Sequence, residues 1–528
     1  MAIRDYKQAR KTLFAVAIAS TAISPLAAYS QEITLTSNDG AINIVGNFIE
    51  FTDDAYVVET ALGRLQIKAG RVQCSGDACP RFDAPASDVV MVGSDTIAEG
   101  LMPFLVEGFA TSMNGVIESQ DQDGNIVTSL LVAEGGFGDP IGSFSVASTD
   151  TAGAFAALRD PSVKIGLATR RIEPAEARQL RNFGAGNMIE VDQEHIVAVD
   201  SISVIVHPEN PITTISIQNL DGIFSGRVTN WSEIGGPDMP ITVYRSDDGS
   251  GTQAVLESVI FEASGRTMLD TAVVASSYDN MSSAVRNDPT AIGFIPTAFE
   301  RGTRAVALEG SCGITSRPTA FNAKTEEYPL QRRLYLYNRA DNVDATTRAF
   351  IDFAMSPGAD EAVTKSGLFD LSIAEVPQDQ QGGRVRSVLQ NAVDPFEFGL
   401  AREMLLDMFE WNRLSTTFRF ASGSARLDGK GQSDLARLID YLKEQPEGTE
   451  MSVVGFTDGD GAFGSNQQLS VGRAEQVLAE IQAAAGDQLS NINMQVKGFG
   501  ELSPAACNDT LEGKRVNRRV EIWVRTPA

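Results

Sequence analysis

Val89-Val90-Met91-Val92-Gly93-Ser94-Asp95-Thr96 is the stretch around which the rest of the sequence can be ordered. Three of its first four residues are β-branched and all four are apolar, the mark of a buried strand. Gly93 to Thr96 then turns the chain into the helical stretch Ile97 to Thr111. A strand that passes through a small, hydroxyl-rich turn into a helix is the repeating unit of an open α/β sheet. The pattern recurs at Ala147-Ser148-Thr149-Asp150-Thr151-Ala152-Gly153 before the helical Ala154 to Leu158, and again at Arg245-Ser246-Asp247-Asp248-Gly249-Ser250-Gly251-Thr252. Further strands are read at Ile196 to Val206, Ala291 to Ile295 and Leu334 to Tyr337. A helix is read over Ala345 to Met355, stopped by Ser356-Pro357-Gly358. The alternation fills residues 88–375.

The three turns share one chemistry. Backbone N–H groups at the start of a helix have no internal partner and favour negative charge. Small hydroxyl residues add donors, and glycine lets the backbone come close to a ligand. Ser94, Asp95, Thr96, Ser148, Thr149, Thr151, Ser250, Gly251 and Thr252 are therefore candidate contacts for a small oxyanion, with Arg245 as a forked donor. Any one turn is also what an ordinary strand-to-helix connection looks like. Three of them belong together because such turns converge at the carboxyl edge of an open sheet. The formal net charge of −26 excludes a nucleic-acid binder, which needs clustered bases, but does not exclude an anion in a locally donor-rich cleft.

With those residues in view, the chain resembles the phosphate-binding proteins of ABC phosphate importers, the PstS-like periplasmic binding proteins. The resemblance runs through Ile217 to Trp231, Glu233-Ile234-Gly235-Gly236, Arg245 to Thr252, Ala291 to Phe294 and Tyr328 to Tyr335, over residues 88–375. It implies a two-lobed clamshell that closes on phosphate or a related oxyanion. Some members place an Asp in the turn that here reads Gly166-Leu167-Ala168-Thr169-Arg170-Arg171, where it accepts a ligand proton. This chain offers Arg170 there as a further candidate contact, and Asp95 or Asp150 could take the acceptor role.

Residues 1–30 read as a secretory signal: Arg4, Lys7, Arg10 and Lys11, then apolar Leu13 to Ala19, then Ala28-Tyr29-Ser30 for cleavage. Residues 31–80 form a small β module of period-two pairs such as Ile42 and Ile44, Tyr56 and Val58. Cys74 and Cys79 bracket a short turn and are expected to pair; with two His in the chain, no metal site is expected. Cys312 and Cys507 fall in different domains and are read as either paired or free. Residues 81–87 read as a linker.

Residues 376–411 read as linker and helix, with a flexible joint at Gln378 to Gly383. Residues 412–528 read as a compact α/β domain. Leu435, Leu438, Ile439 and Leu442 give one helical stripe, Ser470 is expected to cap a helix to about Ala485, and Val520, Ile522 and Val524 alternate with Arg519, Glu521 and Trp523 in a last strand. Gly455-Phe456-Thr457-Asp458, Asn466, Leu469-Ser470, Arg473-Ala474, Gly498 to Glu501 and Asn517 to Glu521 resemble the OmpA-like C-terminal family. That resemblance implies non-covalent peptidoglycan binding through diaminopimelate, with Asp458 on its ammonium, Arg473 on its carboxylate from the first helical turn, and Arg518 lining the site. The expected whole is an α/β multidomain protein without a cofactor, in the periplasm of a Gram-negative bacterium. It is expected to be wall-associated, with possible outer-membrane association, and to hand an oxyanion to an ABC permease or to sense it. Two alternatives stand beside it: an envelope protein with a non-binding clamshell, and a phosphoester hydrolase. No Gly-x-Ser-x-Gly elbow with a His partner supports the hydrolase.

Overall fold

A computed structural model describes residues 32–527, apart from 38–41, 53–54, 69–70, 77, 80–87, 124–125, 134–139, 248–249, 380, 420–426 and 428. The signal segment 1–30 and the linker 81–87 lie outside the described residues. The chain divides into two compact units, one within residues 1–83 and one from residue 84 onward.

The first unit is an antiparallel sheet in the order Gly63–Lys68, Ala55–Thr60, Asn43–Thr52, Glu32–Ser37, Val72–Ser75. Ile33, Leu35, Tyr56, Val58 and Val72 form its core. Cys74 and Cys79 are bonded at its edge.

In the second unit a large mixed sheet carries both lobes of the clamshell. Its backbone is the strand Glu194–Val206, buried along almost its whole length. The first part of that strand, Glu194 to Ser201, pairs with Gln331–Asn338, which leads on to Ile165–Ala168, Asp88–Ser94 and Pro140–Thr149. The last part, Ile202 to Val206, pairs with Ala291–Pro296, which leads to Thr242–Arg245. Each half has its own core. Phe109 meets Phe144 and Phe350 edge-on in the first lobe. Trp231, Phe224 and Phe294 fill the second. The long apolar runs follow from burial of both sheet faces, which removes any need for alternation.

The predicted helix over Ile97 to Thr111 is instead two helices, Asp95–Ala98 and Met102–Ser112. Pro103 explains the break: it suits a helix start and cannot continue one. The helix Ala345–Met355 has the expected bounds.

The C-terminal sheet runs Glu375–Pro377, Asn412–Arg419, Arg519–Arg525, Glu450–Gly455, Asn493–Gly498. Helices Gly429–Lys443 and Phe463–Ala485 cover one face. Helices Gly382–Asn391 and Pro395–Glu410 cover the other. The stretch expected as linker and joint therefore belongs to this layer. Gln378 is buried, and its Nε2 donates to the Trp411 carbonyl at 3.1 Å. Arg519, Glu521 and Trp523, which alternate with Val520, Ile522 and Val524, are also buried, because the hairpin of residues 382–410 covers them. Glu521 accepts from Arg384 at 2.8 Å, Arg519 at 2.7 Å and Trp523 Nε1 at 2.7 Å, and it lies within ion-pair distance of Arg413 at 3.0 Å.

The clamshell and this C-terminal layer are joined face to face. Glu327 takes Arg413, and Glu326 takes Arg333 from the clamshell with Arg419 and Arg515 from the C-terminal part, each of the latter two at 3.0 Å. Cys312 and Cys507, left open by the sequence, are bonded across the same junction.

Candidate functional site: an oxyanion crevice and a wall-contact cluster

The three hydroxyl-rich turns meet. Ser94 and Asp95 from the first, Thr149, Asp150 and Thr151 from the second, and Asp247, Ser250 and Gly251 from the third line one cavity of about 300 Å³. The topology produces this. Asp88–Ser94 and Pro140–Thr149 are parallel neighbours in the first lobe, so their turns leave the sheet at the same edge. The third turn follows Thr242–Arg245 in the second lobe and faces them.

Close backbone contacts fix the turns. A Cβ on Gly93 would lie 2.1 Å from the Leu167 carbonyl oxygen. Asp150 caps the helix Thr151–Ala157 by accepting the Gly153 N–H at 2.6 Å, and Ser250 caps Gly251–Ile260 by accepting the Gln253 N–H at 3.3 Å. Asp95 Oδ1 accepts the Thr96 N–H at 2.6 Å and the Ser94 hydroxyl at 3.1 Å. Helix length qualifies the dipole argument. Asp95–Ala98 is a single turn and Thr151–Ala157 has 7 residues, so the field at those starts is weaker than that of a full helix. The hydroxyls and side chains carry correspondingly more of the site.

The candidate contacts divide. Ser94, Asp95, Thr149, Thr151, Ser250 and Gly251 line the cavity. Thr96 and Thr252 stand behind it, and Ser148 is not among the lining residues. Arg245 is half-buried, with Nη1 donating to the Ser246 carbonyl at 3.1 Å, and does not line the cavity. Arg170 is turned away: both of its Nη atoms donate to Glu176 at 2.8 Å, and it lies over the Phe155 ring. Its neighbour Thr169 occupies the inward side, donating its N–H to Thr151 Oγ1 at 3.0 Å. The strand ends at Ala168, and Thr169 Oγ1 lies 3.3 Å from where a Cβ on Gly251 would sit, behind the third turn.

Four residues the sequence reading left unassigned line or back the cavity. Arg332, buried, donates from Nε to Asp200 at 2.9 Å and from Nη2 to Thr252 Oγ1 at 3.0 Å and Thr96 Oγ1 at 3.2 Å. Burial raises the Asp200 pKa, and the adjacent Arg332 opposes that rise. Tyr278 donates to Thr252 Oγ1 at 2.8 Å; burial pushes its phenol up, and the Asp95 charge adds to that. Asp247 is the fourth. A signal was present: Asp200 and Arg332 each interrupt an otherwise buried strand, and charges in such places are nearly always paired.

The second cluster sits at the end of Glu450–Gly455. Arg518 Nη1 donates to Asp458 Oδ2 at 2.7 Å. Arg473 Nη1 is buried with no partner among the described residues. Burial lowers the Arg473 pKa, Arg518 lowers it further, and Asp458 opposes both. The structure corrects one expectation: the helix starts at Phe463, so Arg473 lies in its interior and Ser470 is not its cap. Ser470 is instead buried against the strand ends, where a Cβ on Gly455 would lie 1.9 Å from its carbonyl oxygen. The close approach allowed by this glycine brings Arg473 to Asp458 without help from a helix start.

A family model described as PBP superfamily domain matches residues 85–357, and one described as OmpA family matches residues 419–518. The phosphate-binding protein PstS of Bacillus subtilis is 27% identical over 190 residues, 36% of this chain and 61% of that protein. The peptidoglycan-binding protein ArfA of Mycobacterium bovis is 36% identical over 107 residues, 20% of this chain and 31% of that protein. The chain thus spans less than two thirds of either relative. The crystal structure of an ABC-type phosphate transport receptor from Vibrio cholerae superposes with a TM-score of 0.41 at 22% identity, covering 53% of this chain and 99% of that one.

Proposed function

The chain belongs to the PBP superfamily, and from that premise we propose that its crevice binds phosphate or a closely related oxyanion while its C-terminal part holds peptidoglycan non-covalently. The observation that carries the first half is the convergence of three hydroxyl-rich turns from two lobes on one cavity. Hydroxyl and backbone donors suit the oxygens of a tetrahedral anion. The carboxylates of Asp95, Asp150 and Asp247 favour an anion that still carries a proton to donate. Hydrogen phosphate does so and sulfate does not, so an acceptor in this turn set replaces the Asp that the Thr169-Arg170 segment lacks. The protein acts as a binder that delivers the anion to an ABC permease or reports it, in the cell envelope on the periplasmic side.

For the wall contact, Arg473 Nη1 offers an unused donor to the carboxylate of diaminopimelate, and Asp458 offers a carboxylate to its ammonium. Arg518 holds Asp458 in place and neutralises it while the site is empty.

Calorimetry on the full chain with phosphate, sulfate and molybdate tests the crevice. Heat with phosphate and none with sulfate is expected; no heat with any anion removes the binding reading and leaves a structural envelope role. Turnover of a phosphoester would point to a hydrolase instead. Sedimentation with isolated peptidoglycan tests the second half. Asp458→Ala is expected to lose retention, and equal retention overturns the assignment.

A further inference from the structure

We propose that Arg332, on the strand shared by the two lobes, is the cationic anchor of the oxyanion. This rests on the crevice being an oxyanion site, and it assigns the charge to a residue that lies outside the three turns.

The side chain of Arg332 is 3% exposed and that of Asp200 is 1% exposed. Two of the three guanidinium nitrogens are used. Nε reaches Asp200, and Nη2 reaches Asp200 at 2.8 Å together with the hydroxyls of Thr96 and Thr252. Nη1 is buried and has no partner among the described residues. A buried charged donor left unsatisfied is costly, so its persistence calls for a partner supplied from elsewhere. Position says where. A Cβ on Gly251, a residue that lines the cavity, would lie 3.8 Å from Nη1 and 3.3 Å from Thr169 Oγ1. Nη1 therefore lies just beneath the cavity floor, under a glycine of the third turn.

The same guanidinium links the lobes. Thr96 belongs to the first turn of the first lobe and Thr252 to the helix start of the second. Asp200 comes from the long shared strand, and Arg332 from its neighbour. Asp200 compensates the charge while the crevice is empty and aims the fork. Thr252 Oγ1 accepts from both Arg332 and Tyr278, which leaves its own proton to donate elsewhere. A tetrahedral anion seated over Gly251 takes an oxygen to Nη1 and another to these hydroxyls.

Calorimetric titration of the full chain with inorganic phosphate tests the assignment. Wild-type binding is the control for the crevice itself; its absence defeats the function proposed above, whatever Arg332 does. Given wild-type binding, Arg332→Lys keeps the charge beside Asp200 but lacks Nη1, and affinity is expected to fall about tenfold or more. Gly251→Ala leaves the ion pair intact and places a methyl over Nη1; a loss of similar size is expected, with the thermal midpoint close to that of wild type. Arg245→Lys is expected to bind within about threefold of wild type, the range of a group outside the cavity. Undiminished binding by both Arg332→Lys and Gly251→Ala overturns the proposal, as does a large loss confined to Arg245→Lys.

Discussion

Removing the Cys312–Cys507 bond should loosen the second compact unit far more than removing Cys74–Cys79 loosens the first. The two bridges differ in the loop they close: 195 residues against 5. In the chain-entropy description the long loop corresponds to about 5 kcal/mol at 25 °C and the short one to about 2 kcal/mol. With a urea slope of roughly 2–3 kcal/mol/M, the long-loop variant should unfold about 2 M earlier. The three tryptophans make the comparison clean. Trp231, Trp411 and Trp523 all lie in the second unit and all are buried. Urea titration followed by tryptophan fluorescence should show a large downward shift for Cys312→Ala with Cys507→Ala and none for Cys74→Ala with Cys79→Ala. Cys312 is exposed, so mild thiol reductant on the wild-type chain should reproduce the shift. An unmoved midpoint in the first double variant, or two free thiols in the oxidised protein, would refute the reasoning.

Other perturbations have definite expected outcomes. Burial raises the Glu521 pKa, but Arg384, Arg413 and Arg519 override it and hold the carboxyl below its usual range. Its stabilising effect is therefore complete above the unfolded value of about 4.3 and fades as pH falls below it. Trp523 fluorescence should report loosening in that acid range, and Glu521→Gln should remove the pH step while lowering stability at neutral pH. Phe109→Ala empties a site packed edge-on against Phe144 and Phe350, with an expected loss of about 3–5 kcal/mol measured by urea unfolding. Gly455→Ala forces a methyl into the Ser470 backbone and should cost roughly 1–3 kcal/mol or more, with loss of peptidoglycan sedimentation, because Asp458 and Arg473 flank that contact.

What the sequence revealed follows from what periodicity can encode. Leu435, Leu438, Ile439 and Leu442 repeat at helical spacing because one side of Gly429–Lys443 is buried, and all four are. The turns at Ser94, Thr151 and Ser250 were legible because glycine and hydroxyl residues report backbone needs locally. The errors have a common source in contacts distant along the chain. Alternation leaves open which faces of the last strand are buried, and a helical hairpin from residues 382–410 covers Arg519, Glu521 and Trp523 as well. Arg170 is charged, but its partner Glu176 and the Phe155 ring hold it away from the crevice. Arg332 lies inside the Tyr328 to Tyr335 stretch, but its chemistry depends on Asp200, 132 residues away.

The pattern of the two bridges also bears on how the chain matures. In order along the sequence, the first cysteine pairs with the second and the third with the fourth. A chain that leaves its channel amino end first presents Cys74 and Cys79 together, so an oxidant seals them at once. Cys312 then waits without a rival thiol until Cys507 arrives. Simple sequential oxidation thus yields the native pairs, and maturation calls for an oxidant but no shuffling catalyst.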